Sequence, residues 1–461
     1  MERASYTSIN RIWCVEMLFW YVKKYVVIFA VCLSVFGISI SDTRTLIPEQ
    51  QTEVTGSDSA CSGDVFSFPT GANATVGEAQ LSMHGLSYCL MDGGNGRVLR
   101  EKEMTKPLAN ASTTKILTCI LALERRTDNQ VVAASQRAAC QPKVRLGMKE
   151  GEQFYVEDLL YAMMLESEND CAVAIAEAIG GTVEQFAFEM NEKAKEIGCR
   201  DTYFITPNGL DQEDTNGAHH TTAEDLCRIM KYCAFESPCA EEFRKIAATK
   251  EYSFCDLEGT KFQSLNKNSF LFEHEGIIAG KTGYTSDAGY CYVFAYEKDN
   301  TKLCGVTLGA GWPPNKSFKW EDAAVLLDYG CNQCVPYPIV LPEPPVAICE
   351  NVWKEDTSWK EYGKDIKVDT YFDSQETTII PLVKEGEKII KEFDLQQEKF
   401  QEIEENQVLG EYRIIIENEE IFSCKIRAKE TTRSWDFSTF FRKLFDLKSF
   451  SEKINKMDGF T

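Results

Sequence analysis

Histidine is nearly absent: the 461 residues hold four, His84, His219, His220 and His274. A metal centre built on several imidazoles has too few ligands to draw on. Basic residues are also short. Lys and Arg number 49 against 71 Asp and Glu, a net charge of −22. Binding a phosphate backbone takes clustered cations, so nucleic acid is a poor partner for this chain. No repeat of 20–50 residues is evident, which argues against solenoids and propellers. With 44% apolar and 26% charged residues the chain is not disordered as a whole. Its length suits two or three domains.

Cysteine, by contrast, is plentiful at 18. In a short secreted domain that number would suggest a disulfide framework. Here Cys119, Cys227, Cys291 and Cys304 sit inside apolar runs, where a free thiol acts as a small apolar side chain. Cys331 and Cys334 have the spacing of a redox or zinc pair, but no second pair with matching spacing follows.

At the N-terminus Lys23 and Lys24 precede an uncharged run of 17 residues, 25–41, that ends in Ser39-Ile40-Ser41. A basic flank, an apolar stretch and a small-x-small end fit a signal peptide; an uncleaved membrane anchor is the other reading. Both put the rest of the chain outside the cytoplasm. Residues 42–78, rich in Ser, Thr, Gly, Asp and Glu, read as a linker. From Leu86 a hairpin pattern appears, with its turn at Asp92-Gly93-Gly94-Asn95-Gly96. Helical spacing follows in 113–125, from Val156, from about Asn169 and over 183–198. Between 276 and 310 the pattern turns β-like again, with a turn at Lys298-Asp299-Asn300. Strands at both ends with helices between predict one α/β domain, 79–340, whose sheet recruits distant segments. Pro336, Pro338, Pro342, Pro344 and Pro345 mark a boundary, and 348–430 reads as a small β domain. The tail, 431–461, carries six Lys/Arg and four Asp/Glu. Phe437, Phe440, Phe441, Leu444 and Leu447 share one helical side, opposite Arg442, Lys443 and Asp446. That suits a membrane interface, or a helix packed on the β domain.

Three short strings carry chemistry. Ser112-Thr-Thr-Lys115 opens an apolar helix and puts a hydroxyl and an amine on one face. A Ser needs a base to become a nucleophile, and a Lys can be that base if burial and nearby positive charge lower its pKa. Ser167-Glu168-Asn169 offers a hydroxyl to relay protons and an amide to hold a substrate amide, although N-capping explains either residue alone. Lys281-Thr282-Gly283, inside a β-like run, offers a cation and a hydroxyl for a terminal carboxylate, and a Gly where backbone can approach backbone.

Each string alone is weak; together, in this order, they are specific. The chain resembles the serine D-alanyl-D-alanine carboxypeptidases, the low-molecular-mass penicillin-binding proteins. The flanking text agrees, in ANASTTKILT, LLYAMMLESENDCAVAIAE, FITPNGLD, HTTAEDL and GKTGYTSDAGYC. The resemblance implies an α/β serine-transpeptidase/β-lactamase-like domain, a sheet plus a helical lobe, followed by a small all-β domain. It implies that Ser112 forms an acyl-enzyme and Lys115 activates it. Ser167 would shuttle protons, Asn169 would hold the substrate amide, and Lys281 and Thr282 would bind the terminal carboxylate beside Gly283. The N–H groups of Ser112 and Tyr284 would form the oxyanion hole. Glu168 departs from the family, which often has a small residue there. The expected partners are peptidoglycan stem peptides, β-lactam antibiotics and, through the tail, a membrane surface; no cofactor or metal is implied. A β-lactamase or a D,D-endopeptidase shares the motifs. A non-catalytic wall-binding protein is the reading from a different class, and the intact motifs argue against it.

Overall fold

The computed structural model describes residues 64–67, 82–350, 352–353, 365–397 and 399–434. The apolar run of 1–41 and the Phe-rich part of the tail lie outside the described residues. In chain order the main elements are strands β1 (Asp64–Ser67), β2 (Ser87–Asp92) and β3 (Val98–Lys102), then helices α1 (Lys115–Arg125), α2 (Val156–Leu165), α3 (Asn169–Gly180), α4 (Val183–Ile197), α5 (Ala223–Lys231) and α6 (Ala240–Ala248). Strands β4 (Ile277–Thr285), β5 (Gly289–Lys298) and β6 (Thr301–Leu308) follow, then helix α7 (Phe318–Gln333). Strands β7 (Thr370–Phe372), β8 (Lys388–Leu395), β9 (Val408–Ile416) and β10 (Glu419–Ala428) complete them.

The first sheet has the order β4-β5-β6-β2-β3, with every neighbouring pair antiparallel. The turn between β5 and β6 puts Asp299 and Asn300 at φ 52° and 62°, the left-handed pair that suits the twist of a two-residue hairpin. Alternate residues face opposite layers. Cys89, Met91, Cys291, Val293 and Ala295 pack with the helical lobe. Tyr88, Leu90, Tyr292, Phe294 and Tyr296 pack with Ala323, Leu326 and Leu327 of α7. Because both faces are covered, the strands read as continuous apolar runs. Helix α7 itself had no clear signature in the sequence.

Helix α1 runs through the middle of the lobe, and every residue from Lys115 to Leu123 is buried. Ile116, Leu117, Ile120 and Leu121 each contribute about 1.5–3 kcal/mol of apolar burial. That packing seats the first turn of α1, with Lys115, inside the lobe.

The second sheet has the order β1-β8-β9-β10-β7, again antiparallel. Its strand β1 comes from the stretch 42–78, which the sequence presents as linker; four residues are too few for a periodicity to stand out. Two further boundaries shift. Cys334–Pro336 and Ile339–Val340 already pair with strands of the second unit, at Leu382–Lys384 and Thr378–Ile379, although they fall within 79–340. Arg433–Ser434, in the stretch expected as tail, pairs with Val352–Trp353. At the junction between the units, the Arg97 guanidinium makes a two-pronged contact with the Glu387 carboxylate and donates to Leu382 O at 3.1 Å. Cys119, Cys227, Cys291 and Cys304 are buried free thiols. Among the described residues no His, Cys, Asp and Glu are grouped so as to hold a metal ion. Nor is any single helix among them long and apolar enough to cross a membrane.

Candidate active site

Ser112 lies in a single 3-10 turn, Ala111–Thr114, that runs directly into α1. Lys115, one turn on, is fully buried. Its Nζ stands 2.7 Å from Ser112 Oγ, 2.9 Å from Asn169 Oδ1 and 2.9 Å from Asn208 O. A neutral amine has two N–H donors and one lone pair. The two carbonyl oxygens take the donors, and the lone pair is left facing the Ser112 hydroxyl. Burial pushes the Lys115 ammonium well below its ordinary value, and the nearby Lys281 pushes it further. The geometry and the titration thus favour the same form, a neutral base.

The loop around Ser167 brings the second string to the same place. Ser167 adopts φ 73° and Ala111, before the nucleophile, adopts φ 48°. Such conformations cost a non-glycine residue on the order of 1 kcal/mol, and they gather at functional sites. Asn169 opens α3, and its Nδ2 donates to Pro142 O at 3.1 Å while its Oδ1 receives Lys115. The N-cap position of α3 belongs to neither Ser167 nor Asn169 but to Glu168, whose side chain makes no capping bond.

Lys281 lies on β4 beside this loop, and its Nζ donates to Ser167 Oγ at 2.9 Å and to Thr282 O at 3.2 Å. Burial pulls its ammonium down to about 7. Two residues on, a Cβ at Gly283 would stand 2.9 Å from Asn110 O and 3.0 Å from Ser112 N. Only glycine lets β4 lie this close to the backbone of Ser112. Ser112, Ser167, Asn169, Thr282, Gly283 and Tyr284 line one cleft of about 400 Å³. All eight residues singled out from the sequence therefore meet at one place.

The sequence did not single out three other participants. Asn208 supplies the backbone oxygen that holds Lys115, and its loop is pinned by Thr118 Oγ1 donating to Pro207 O at 2.7 Å. His219 is buried and held neutral, with burial pulling its pKa down to about 3. Its Nδ1 accepts from Ile205 N at 3.0 Å, which leaves Nε2–H for Thr114 Oγ1 at 3.0 Å. Thr114 Oγ1 in turn donates to Ala111 O, so His219 braces the turn that carries Ser112. Lys319 of α7 lines the cleft with its Nζ over the rings of Tyr290 and Trp320, 4.9 and 4.6 Å from their centroids. Burial, with Lys316 nearby, pulls it down to about 8. A lone Lys in an unrecognised helix carries no signal; a PNGL loop or a paired His could be found only by the resemblance of the surrounding text.

A sequence profile of the D-alanyl-D-alanine carboxypeptidase family matches residues 73–311, half of the chain. The chain belongs to that family. It is 28% identical over 377 residues to the D-alanyl-D-alanine carboxypeptidase DacF of Bacillus subtilis, covering 79% of this chain and 90% of that one. DacC of Escherichia coli is 30% identical over 318 residues, 65% of this chain and 75% of its own length. The structure of penicillin binding protein 5 from Haemophilus influenzae superposes with a TM-score of 0.62 over 78% of this chain and 100% of that one, at 23% identity. That last likeness speaks for the fold, a transpeptidase/β-lactamase-like domain with a further β unit. Family and relatives together make this chain a serine-type carboxypeptidase, a hydrolase.

Proposed function

We propose that the chain removes the terminal D-alanine from peptidoglycan stem pentapeptides through an acyl-enzyme on Ser112, and that penicillins acylate the same hydroxyl. The observation that carries this reading is the environment of Lys115, buried with its Nζ 2.7 Å from Ser112 Oγ and 2.9 Å from two carbonyl oxygens that take its N–H donors. Lys115 takes the hydroxyl proton as Oγ attacks the carbonyl carbon of the penultimate D-alanine. The negative charge that develops on the carbonyl oxygen goes to the N–H groups of Ser112 and Tyr284. The tetrahedral adduct collapses with loss of the terminal amine, which takes a proton through Ser167. A water then attacks the ester, and Ser112 recovers its proton.

The substrate ends in a carboxylate, and the cleft answers with the Lys281 ammonium, the Thr282 hydroxyl and Lys319. Asn169 Nδ2 holds the amide on the acyl side. We further propose that the mature chain works outside the cytoplasm, exported by the segment within 1–41 and held at the membrane by the tail. The basic flank and apolar run of the first, and the Phe-rich face of the second, support this.

The test is to incubate the purified protein with a stem pentapeptide and with a penicillin. Release of D-alanine, slow β-lactam turnover and a penicillin adduct on Ser112 are expected. Fast β-lactam turnover would favour a β-lactamase, release only from cross-linked dimers would favour an endopeptidase, and no adduct at all would leave a wall-binding protein.

A further inference from the structure

Glu168 is left over by this mechanism. It stands between Ser167, which binds Lys281, and Asn169, which binds Lys115. It is only 6% exposed, and its Oε2 is buried without a hydrogen-bond partner. It holds the N-cap position of α3 without capping it. The structural work expected of an acid in this loop is done by its neighbour. Asp170 accepts from the backbone N–H groups of Leu146, Gly147 and Met148, which fixes the loop against α3. A buried carboxylate with no bond of its own is costly, so its charge calls for a reason.

We propose that Glu168 is a positioning residue for the two catalytic lysines: its carboxylate is the counter-charge that favours the ammonium forms of Lys115 and Lys281 and so sets the pH range in which the site works. This rests on the acyl-enzyme reading given above. The site packs the Lys115 and Lys281 amines near each other in a region that excludes water. Without a negative charge nearby, both would lose their protons too readily. Lys115 must be neutral to act as base, whereas Lys281 must be charged to hold a carboxylate. Glu168 is the group that acts on Lys281, and it acts on Lys115 together with Cys171 and Asp170. The groups that face Glu168 are Glu166 on its own loop, Asp170 and Cys171 on α3, Lys115 on α1, Lys281 on β4 and Lys267 after the 261–265 strand. Burial and the two acids raise Glu168 to about 7, against the pull of the lysines. Its charge is therefore present above neutrality and fades below it.

The sign follows. Replacing Glu168 with a neutral residue removes a stabiliser of both ammonium groups, so both lysines lose protons at lower pH. The falling limb of the kcat/KM profile, set by Lys281, moves to lower pH, whereas the rising limb, set by Lys115, lies where Glu168 has largely lost its charge and moves little. The falling limb moves further, by about one pH unit, the low end of what one nearby opposite charge does, because Glu168 is charged there. The three groups titrate together, so the limbs report the cluster and not single residues.

The experiment is the pH profile of D-alanine release by wild type, Glu168→Gln and Glu168→Asp, with thermal melting of each. We expect the falling limb of the Gln profile displaced to lower pH and the Asp profile near that of wild type, with full penicillin labelling of all three. A Gln profile that falls in height without moving, with a lower melting point, would overturn the proposal and leave Glu168 as a packing residue. Should the Gln variant not fold, difference infrared titration of the wild type decides. A buried carboxyl that is ionised at the pH of maximal activity supports the proposal, and one still protonated there overturns it. If wild type neither releases D-alanine nor binds penicillin, the acyl-enzyme reading itself has failed, which is a separate outcome.

Discussion

The catalytic unit and the C-terminal β unit differ in what they bury. The first buries Lys115, Lys281, Lys319, Glu168, Asp170, Asp225, Asp322 and His219 among its apolar residues. In the second, Ile389, Tyr412, Ile414, Ile416 and Cys424 make one core and Val368, Leu409 and Ala428 belong to another. Its one buried charge among the described residues is Glu387, and that one faces Arg97 of the catalytic unit. A buried charge costs free energy unless it is paired, so a fold keeps one where it is used. In the first unit the reading proposed above uses the lysines for chemistry. In the second, Glu387 aside, the described charges stay outside.

The contrast is broken most sharply at the nucleophile. Ser112→Ala should lower kcat roughly a million-fold, the scale of losing a catalytic nucleophile. Ser423→Ala, an exposed serine of β10, should leave turnover unchanged. Release of D-alanine and mass mapping of the penicillin adduct measure both; an adduct on any residue but Ser112 would sink the assignment.

A similar pairing of lysines follows. Lys281→Ala should lose about 3–5 kcal/mol in kcat/KM, as does truncation of a charge in a desolvated site. A peptide amidated at its C-terminus should be poor for wild type already, and should lose far less on mutation. Equal losses for acid and amide would contradict the carboxylate role. Lys425→Ala in β10 removes only a half-exposed pair with Glu411, so it should cost at most about 1 kcal/mol of stability and no activity.

The junction tests how far the units depend on each other. Glu387→Gln leaves the buried Arg97 with only Glu419, 3.8 Å from its Nε, as counter-charge and should cost about 2 kcal/mol in denaturant unfolding. Burial alone would raise the Glu387 carboxyl; the bonds from Arg97 and the Lys384 amide outweigh it and hold the group below the usual range. A depressed carboxyl stabilises above its unfolded pKa and loses that contribution as pH falls through the folded one. The gap between wild type and Glu387→Gln should accordingly be present at neutral pH and close in acid.

The two units were also legible in different ways. Ser112, Lys115 and Lys281 were readable because chemistry demands those residue types at short spacing, and helix and strand patterns placed them. The β unit was readable from alternation and from the proline boundary. What escaped was long-range. Asn208 enters the site through its backbone oxygen, which no side-chain pattern announces. Lys319 depends on α7 lying against β5, and His219 on the Thr114 hydroxyl lying within reach. Strand β1 pairs with β8 across most of the chain, and four residues in a polar stretch give no hint of that. Local periodicity cannot report a partner 300 positions away.

The smallest effect is expected where the comparison ends, at the tail. The β unit continues to Arg433–Ser434, so a chain cut after Ser434 keeps every described strand. It loses Phe437, Phe440, Phe441, Leu444 and Leu447 and the cations opposite them. Activity on a soluble pentapeptide should not change, because no residue of the cleft lies beyond Trp320. Flotation with anionic vesicles should change entirely. A protein of residues 42–461 should rise with them, since apolar burial supplies most of the affinity and Arg442 and Lys443 favour anionic lipid. The chain ending at Ser434 should stay at the bottom. Equal behaviour of the two, whether both float or neither does, would mean that the Phe-rich face packs on protein and that the β unit holds no membrane anchor.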